Sequence, residues 1–145
     1  MNTQNNTPEN IDLRMRTLRT LWFALLATVG IYFVFAMSRG RPENVQPNST
    51  LSLALLGAGV LIALVSFVIK NTLVRQAVER EQVAQVQQAY IVAWAMSEVP
   101  ALLGMLDFFV TSDRYYYVFF IVAVCAQLAH FPRREHVEQA SFERR

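Results

Sequence analysis

A single carboxylate, Glu98, sits near the middle of AYIVAWAMSEVPALLGMLDFFV, an apolar run over residues 89–110 that is long enough to cross a bilayer. A charge in hydrocarbon costs about 2.5–3.5 kcal/mol, so it must find a partner, take up a proton or face water. On a helix Glu98 shares a face with Trp94, Ala95, Ala101, Leu102 and Met105, none of them cationic. Pro100 lacks an N–H, so the carbonyl of Met96 loses its helical partner and a kink is expected there. That carbonyl, the Glu98 carboxyl and the Ser97 hydroxyl would form a small polar pocket suited to a proton or a cation. The same residues also suit a bent helix held to its neighbours by hydrogen bonds.

Other chemistry is sparse. His130 and His136 are six residues apart and make poor metal partners, and Cys125 is a lone thiol expected to be a small core residue. No metal site and no cofactor are therefore expected. No nucleophile–base pair, phosphate-binding loop or nucleic-acid-binding face is present, so neither an enzyme nor a nucleic-acid partner is expected.

The elements that must position Glu98 follow from hydropathy. The chain of 145 residues is 54% hydrophobic and 17% charged, and its charges avoid four apolar windows. Solid apolar runs of this length point to spanning helices rather than to a transmembrane barrel. The expected fold is all-α, a four-helix transmembrane bundle forming one domain over residues 1–145. Its parts are a disordered tail at 1–10, an interfacial amphipathic helix at 11–20, spans at 21–37, 51–70, 88–110 and 115–131, and a cytoplasmic tail at 132–145. The first window is longer than a secretory signal core, and AMSRG is a poor cleavage site. Tyr115, Tyr116, Tyr117, Phe119 and Phe120 read as an interfacial aromatic belt.

With the N-terminus inside, ten of the thirteen Lys and Arg residues fall on the inner side, and only Arg39, Arg41 and Arg114 fall outside. The positive-inside rule then places both termini in the cytoplasm. The inner basic residues also suit anionic lipid. The connection NTLVRQAVEREQVAQVQQ contains no Gly or Pro, so the second and third helices should extend into a helical hairpin turning near residues 79–82. Val74 and Val78 would pack there against Val83 and Val86. Counting depth from the inner face sets Glu98 near Thr28 and near Gly59, with Gln127 about one turn further in. Gly57, Gly59 and Ala63 give the second helix a small-residue face, against which Trp94 and Pro100 are expected to pack. Asp107 should reach the outer headgroups.

From GAG at 57–59, through RQAVERE at 75–81, to AWAMSEVPALLGMLDFF, the hairpin over about residues 51–110 resembles the rotor-ring subunit c of F- and V-type ATP synthases. The resemblance implies that Glu98 matches the ion-carrying carboxylate, Arg75 and Gln76 the polar loop, and Gly104 the glycine beyond the carboxylate. Ala77 stands where that family has a loop proline, and further helices flank the hairpin. The whole chain looks like a small bacterial four-helix membrane protein, which implies the bacterial inner membrane.

Two functions fit these residues. In one, the protein is a structural or accessory membrane subunit, forming a homo-oligomer or part of a larger complex, with Glu98 fixing helix contacts. In the other it is a proton- or cation-coupled carrier component, with Glu98, Ser97 and Met96 as the binding site.

Overall fold

The computed structural model describes residues 8–40, 46–80 and 82–141. Five helices follow one another: α1 (Pro8–Arg39), α2 (Ser49–Glu79), α3 (Val83–Val110), α4 (Tyr117–Ala129) and α5 (Arg134–Ser141). Among the described residues there is no strand. Three helices are long and apolar enough to cross a membrane, over Ile11–Arg39, Ser49–Glu79 and Val83–Val110, while Tyr117–Ala129 is apolar but shorter. Leu53, Leu61, Leu64 and Val68 of α2 are exposed, as are Phe23, Ile31 and Val34 of α1, which fits an apolar surrounding.

Local chemistry sets the boundaries. Pro8 opens α1, where its missing N–H costs no helical bond, and Gly40 at φ +67° follows its last residue, Arg39. The Asn48 side chain caps α2 by accepting from Leu51 N at 3.1 Å. The Asn48 N–H reaches across to Thr111 O at 3.2 Å and ties the start of α2 to the end of α3. Between Glu79 and Val83 the chain reverses, with Gln82 N donating to Ala77 O at 2.9 Å. This is the expected helical hairpin. Val74 and Val86 are buried beside it, and Val78 and Val83 are half-buried.

Three expected boundaries require correction. No break separates an interfacial helix at 11–20 from a span at 21–37, because residues 11–29 lack Gly and Pro and α1 runs through the boundary. Its apolar stripe of Ile11, Met15, Leu18 and Trp22 packs against α3, α5 and the α2–α3 hairpin instead of lying along a leaflet. The tail expected at 1–10 does not hold for Pro8, Glu9 and Asn10, which belong to α1; residues 1–7 lie outside the described residues. The tail expected at 132–145 contains α5, whose Val137 and Ala140 are buried, while residues 142–145 lie outside the described residues. Arg134 adds an ion pair from α5 to Asp12 of α1, at 3.3 Å.

At the centre lies α3, which packs against all four other helices and most extensively against α2. The buried positions of α2 are Ser52, Gly59, Ala63, Ser66, Lys70, Val74 and Ala77. Their spacings of three, four and seven form one seam along the helix. One core gathers Trp22, Tyr90, Trp94 and Val137 at the turn end of the bundle, meaning the end that carries the α2–α3 reversal. A second gathers Val29, Ala101, Phe108 and Phe120 toward the far end.

Candidate functional site

Glu98 is half-buried, and Tyr32 of α1 is the side chain whose hydroxyl interacts with its carboxylate. Depth counting pointed to Thr28, one turn earlier on the same face of α1. Thr28 instead donates to its own helix, at Ala24 O, 3.0 Å away. Ser97 is buried and turns to α4, with its hydroxyl against Trp94 O at 2.9 Å and against Gln127 Oε1. Neighbouring helical positions point about 100° apart, so Ser97 and Glu98 serve different partners. The Ser97 hydroxyl is therefore turned to α4 and not to the Glu98 carboxylate. Met96 itself is half-buried, and α3 continues through Pro100 without interruption.

The small-residue face forms in part. Gly59 lies against Pro100, whose Cα and Cβ would be 3.5 Å from a Cβ added there, and Ala63 is buried beside it. Gly57 is exposed and would meet nothing within 4 Å, so it falls outside the seam. Trp94 packs elsewhere, in the core shared by α1, α3 and α5. Glu98 thus faces α1, while the small residues of α2 meet Pro100 and Leu103. Cys125 is exposed rather than in the core, because it faces outward in a groove between α1 and α4.

Asp107 also departs from expectation. It is fully buried instead of reaching a polar surface, because Ser52 Oγ donates to it at 3.1 Å and Thr111 Oγ1 lies 2.8 Å away. Nearby, Asp113 Oδ1 accepts from Tyr115 N at 2.9 Å, and Ser112 takes a left-handed φ of 49°, so side chains shape the sharp α3–α4 connection.

The densest polar arrangement surrounds the C-terminal end of α4. A helix leaves its last carbonyls without internal partners. Trp22 Nε1 of α1 donates to Gln127 O at 2.8 Å, and Trp94 Nε1 of α3 donates to His130 O at 3.0 Å. Two indoles, which can only donate, therefore cap one helix end. The His130 ring meets Ser66 Oγ of α2 at 2.8 Å, and Ser66 in turn approaches Ala63 O at 2.6 Å. His130 Nδ1 and Gln127 Nε2 are buried without partners among the described residues. The Ser97 hydroxyl has a single proton but two facing acceptors. Turning the Gln127 amide over resolves this: its NH₂ then donates to Ser97, and Ser97 donates to Trp94 O.

Beyond α4 the link to α5 is held by Tyr90. Its hydroxyl lies 2.7 Å from His136 Nδ1 and accepts from Arg133 N at 3.0 Å. Burial is the main cause that holds His136 below its ordinary value near 6.5; the cations Lys70 and Arg133 push the same way, and Glu135 opposes them. Docking of α5 therefore favours neutral His136. Its contribution is complete above about pH 6.5 and declines as pH falls from there toward the lowered docked value. Hydrogen exchange of the α5 amides should consequently accelerate between pH 7.5 and 5.5, beyond the intrinsic pH effect. His136→Gln should remove that excess, and an unchanged excess in the variant would assign it to another group.

His130, Ser66, Tyr90 and Trp22 were not singled out from the sequence as site residues. The signal available was the spacing of Ser66 and Lys70 within the buried seam of α2. Among the described residues, no group of three or more His, Cys, Asp or Glu could hold a metal ion. No protein-family model, curated protein or solved structure matches this chain.

Proposed function

We propose that this protein is a structural or accessory subunit of a membrane assembly, crossing the bacterial inner membrane four times with both termini and the α2–α3 turn in the cytoplasm. The Lys and Arg distribution supports that orientation. The fourth crossing is α4, whose 13 residues give roughly 20 Å of helix, less than a hydrocarbon core of about 30 Å. Non-helical backbone at membrane depth is tolerated where protein satisfies it, and Trp94 and Tyr90 do this for His130 O and Arg133 N.

The observation that carries the reading is the use made of the polar groups. Asp107 is hydrogen-bonded to Ser52, Ser97 to Gln127 and Ser66 to His130, so each pair ties two helices together, and Glu98 faces Tyr32 of α1. Glu98 then fixes α3 against α1. The second reading, a proton- or cation-coupled component resembling rotor subunit c, is favoured by the partial exposure of Glu98, which leaves its carboxylate reachable.

Carbodiimide labelling across pH, in wild type and Glu98→Gln, separates the two. The structural reading expects an unreactive Glu98 and a Glu98→Gln protein that assembles normally, because the amide keeps the shape of the carboxyl and a polar oxygen facing Tyr32. Tyr32→Phe should then cost no more than about 0.6 kcal/mol, the average for a hydrogen bond between membrane helices. A pH-dependent reactive carboxyl, with proton movement across vesicles abolished in Glu98→Gln, would establish the coupled reading instead.

A further inference from the structure

Lys70 ends the apolar run of α2 and is only 9% exposed. Its Nζ lies 5.9 Å from the ring centre of Phe67 and 6.0 Å from that of Tyr90. Aromatic faces accommodate a desolvated ammonium but satisfy few of its three donors. Ion pairs among the described residues join Arg75 to Glu79 and Arg134 to Asp12 and Glu138; none reaches Lys70. Its charged surroundings have the same sign. Arg133 lies within Coulombic range of it, and both Lys70 and Arg133 act on His136. Lysines are rarely buried unless paired; among the described residues the junction of α2, α3 and the α4–α5 link has two cations, with Glu135 acting on His136 beside them, and no ion pair to Lys70.

We propose that this junction binds a phosphate-type oxyanion, with Lys70 Nζ and the Arg133 guanidinium as its cationic partners. The anion has the access it needs: Arg133 is exposed, and the Arg133 N–H is already committed to Tyr90, which fixes where that residue leaves the backbone. The charge-assisted contacts would come from a primary ammonium and a planar fork, a combination suited to phosphate oxygens. Two sources supply such an anion: the headgroup of an anionic phospholipid and free phosphate. The lipid source rests on the membrane-spanning reading above, which sets Lys70 at headgroup depth; the oxyanion site does not depend on it.

The test is native mass spectrometry of the full chain released from detergent, titrated with phosphatidylglycerol, with phosphatidylcholine and with inorganic phosphate. Wild type should retain phosphatidylglycerol, and Lys70→Gln should bind it on the order of tenfold more weakly, the effect of one charge-assisted contact. Arg133→Gln, at an exposed position, should weaken binding roughly fivefold. Arg75→Gln, whose residue pairs with Glu79 away from the junction, should leave it unchanged. Retention of inorganic phosphate alone, lost in Lys70→Gln, would support the site with free phosphate as its source. Equal retention by wild type, Lys70→Gln and Arg133→Gln would overturn the site. Failure of the wild type to insert into vesicles would overturn the membrane reading, and with it the lipid source alone.

Discussion

Trp94→Ala should destabilise the bundle by about 3–5 kcal/mol, the cost of deleting a large, well-packed aromatic from a core. Trp94 has no exposed surface, and it packs with Trp22, Tyr90 and Val137 where α1, α3 and α5 meet. Its loss also leaves the carbonyl of His130 buried without the indole donor 3.0 Å away. The two contributions separate in Trp94→Phe, which keeps most of the ring volume and removes only the N–H. That variant should lose roughly 1 kcal/mol, near the range for a single buried hydrogen bond. Unfolding in mixed detergent and dodecyl sulfate, followed by far-UV circular dichroism, measures both. Equal losses in the two variants would show that the cap outweighs the packing.

Gly104→Ala is the other large effect, and its cause is steric. A Cβ at this position would lie 2.6 Å from Phe119 Cβ, 3.2 Å from Phe120 Cε2 and 3.3 Å from Phe119 Cγ. The first of these atoms is attached directly to the backbone of α4, so no rotamer change can move it away. The helices would have to separate, and such overpacking costs about 1–3 kcal/mol. Gly57→Ala is the matched control, because nothing lies within 4 Å of its added methyl. It should be neutral or slightly stabilising, as alanine is the better helix former by about 1 kcal/mol. If both substitutions behave alike under the same detergent titration, the close approach of α3 to Phe119 is not what Gly104 provides.

The long helices were legible because apolar runs and a connection without Gly or Pro are local properties of the chain. The hairpin turn was equally plain, since no residue between Asn71 and Gln88 favours an earlier stop. α5 was not legible: RREHVEQA has only Val137 and Ala140 as apolar positions, and its helix gains stability from docking on α1, α2 and α3. The continuous α1 was missed because an amphipathic stretch rich in arginine reads equally well on a leaflet and against another helix.

The candidate site was legible residue by residue but not as an arrangement. Glu98 stands out in the sequence as a polar group in an apolar run, and Gln127 as a neighbour in depth, which meets Ser97 in the structure. Which helix faces which side of α3 is decided by packing, and no local pattern in α3 reports it. Of the small residues Gly57, Gly59 and Ala63 on α2, the last two lie in the seam and Gly57 is exposed, while Ser52, Ser66 and Lys70 continue the same spacing but carry no small-residue signature. Asp107 was misjudged for the same reason. Its position near a helix end suggested water, whereas Ser52 and Thr111 supply what water would have supplied.

The paired indoles at the end of α4 bear on how the protein is made. At this short helix end Trp22 adds a second donor to Gln127 O, which already accepts from His130 N, and Trp94 supplies the donor for His130 O. Both donors lie upstream in the chain, so they leave the ribosome before α4 does. The order of the chain therefore supplies both caps before the helix end they cap, while Val137 and Ala140 of α5, which complete the core around them, come after it.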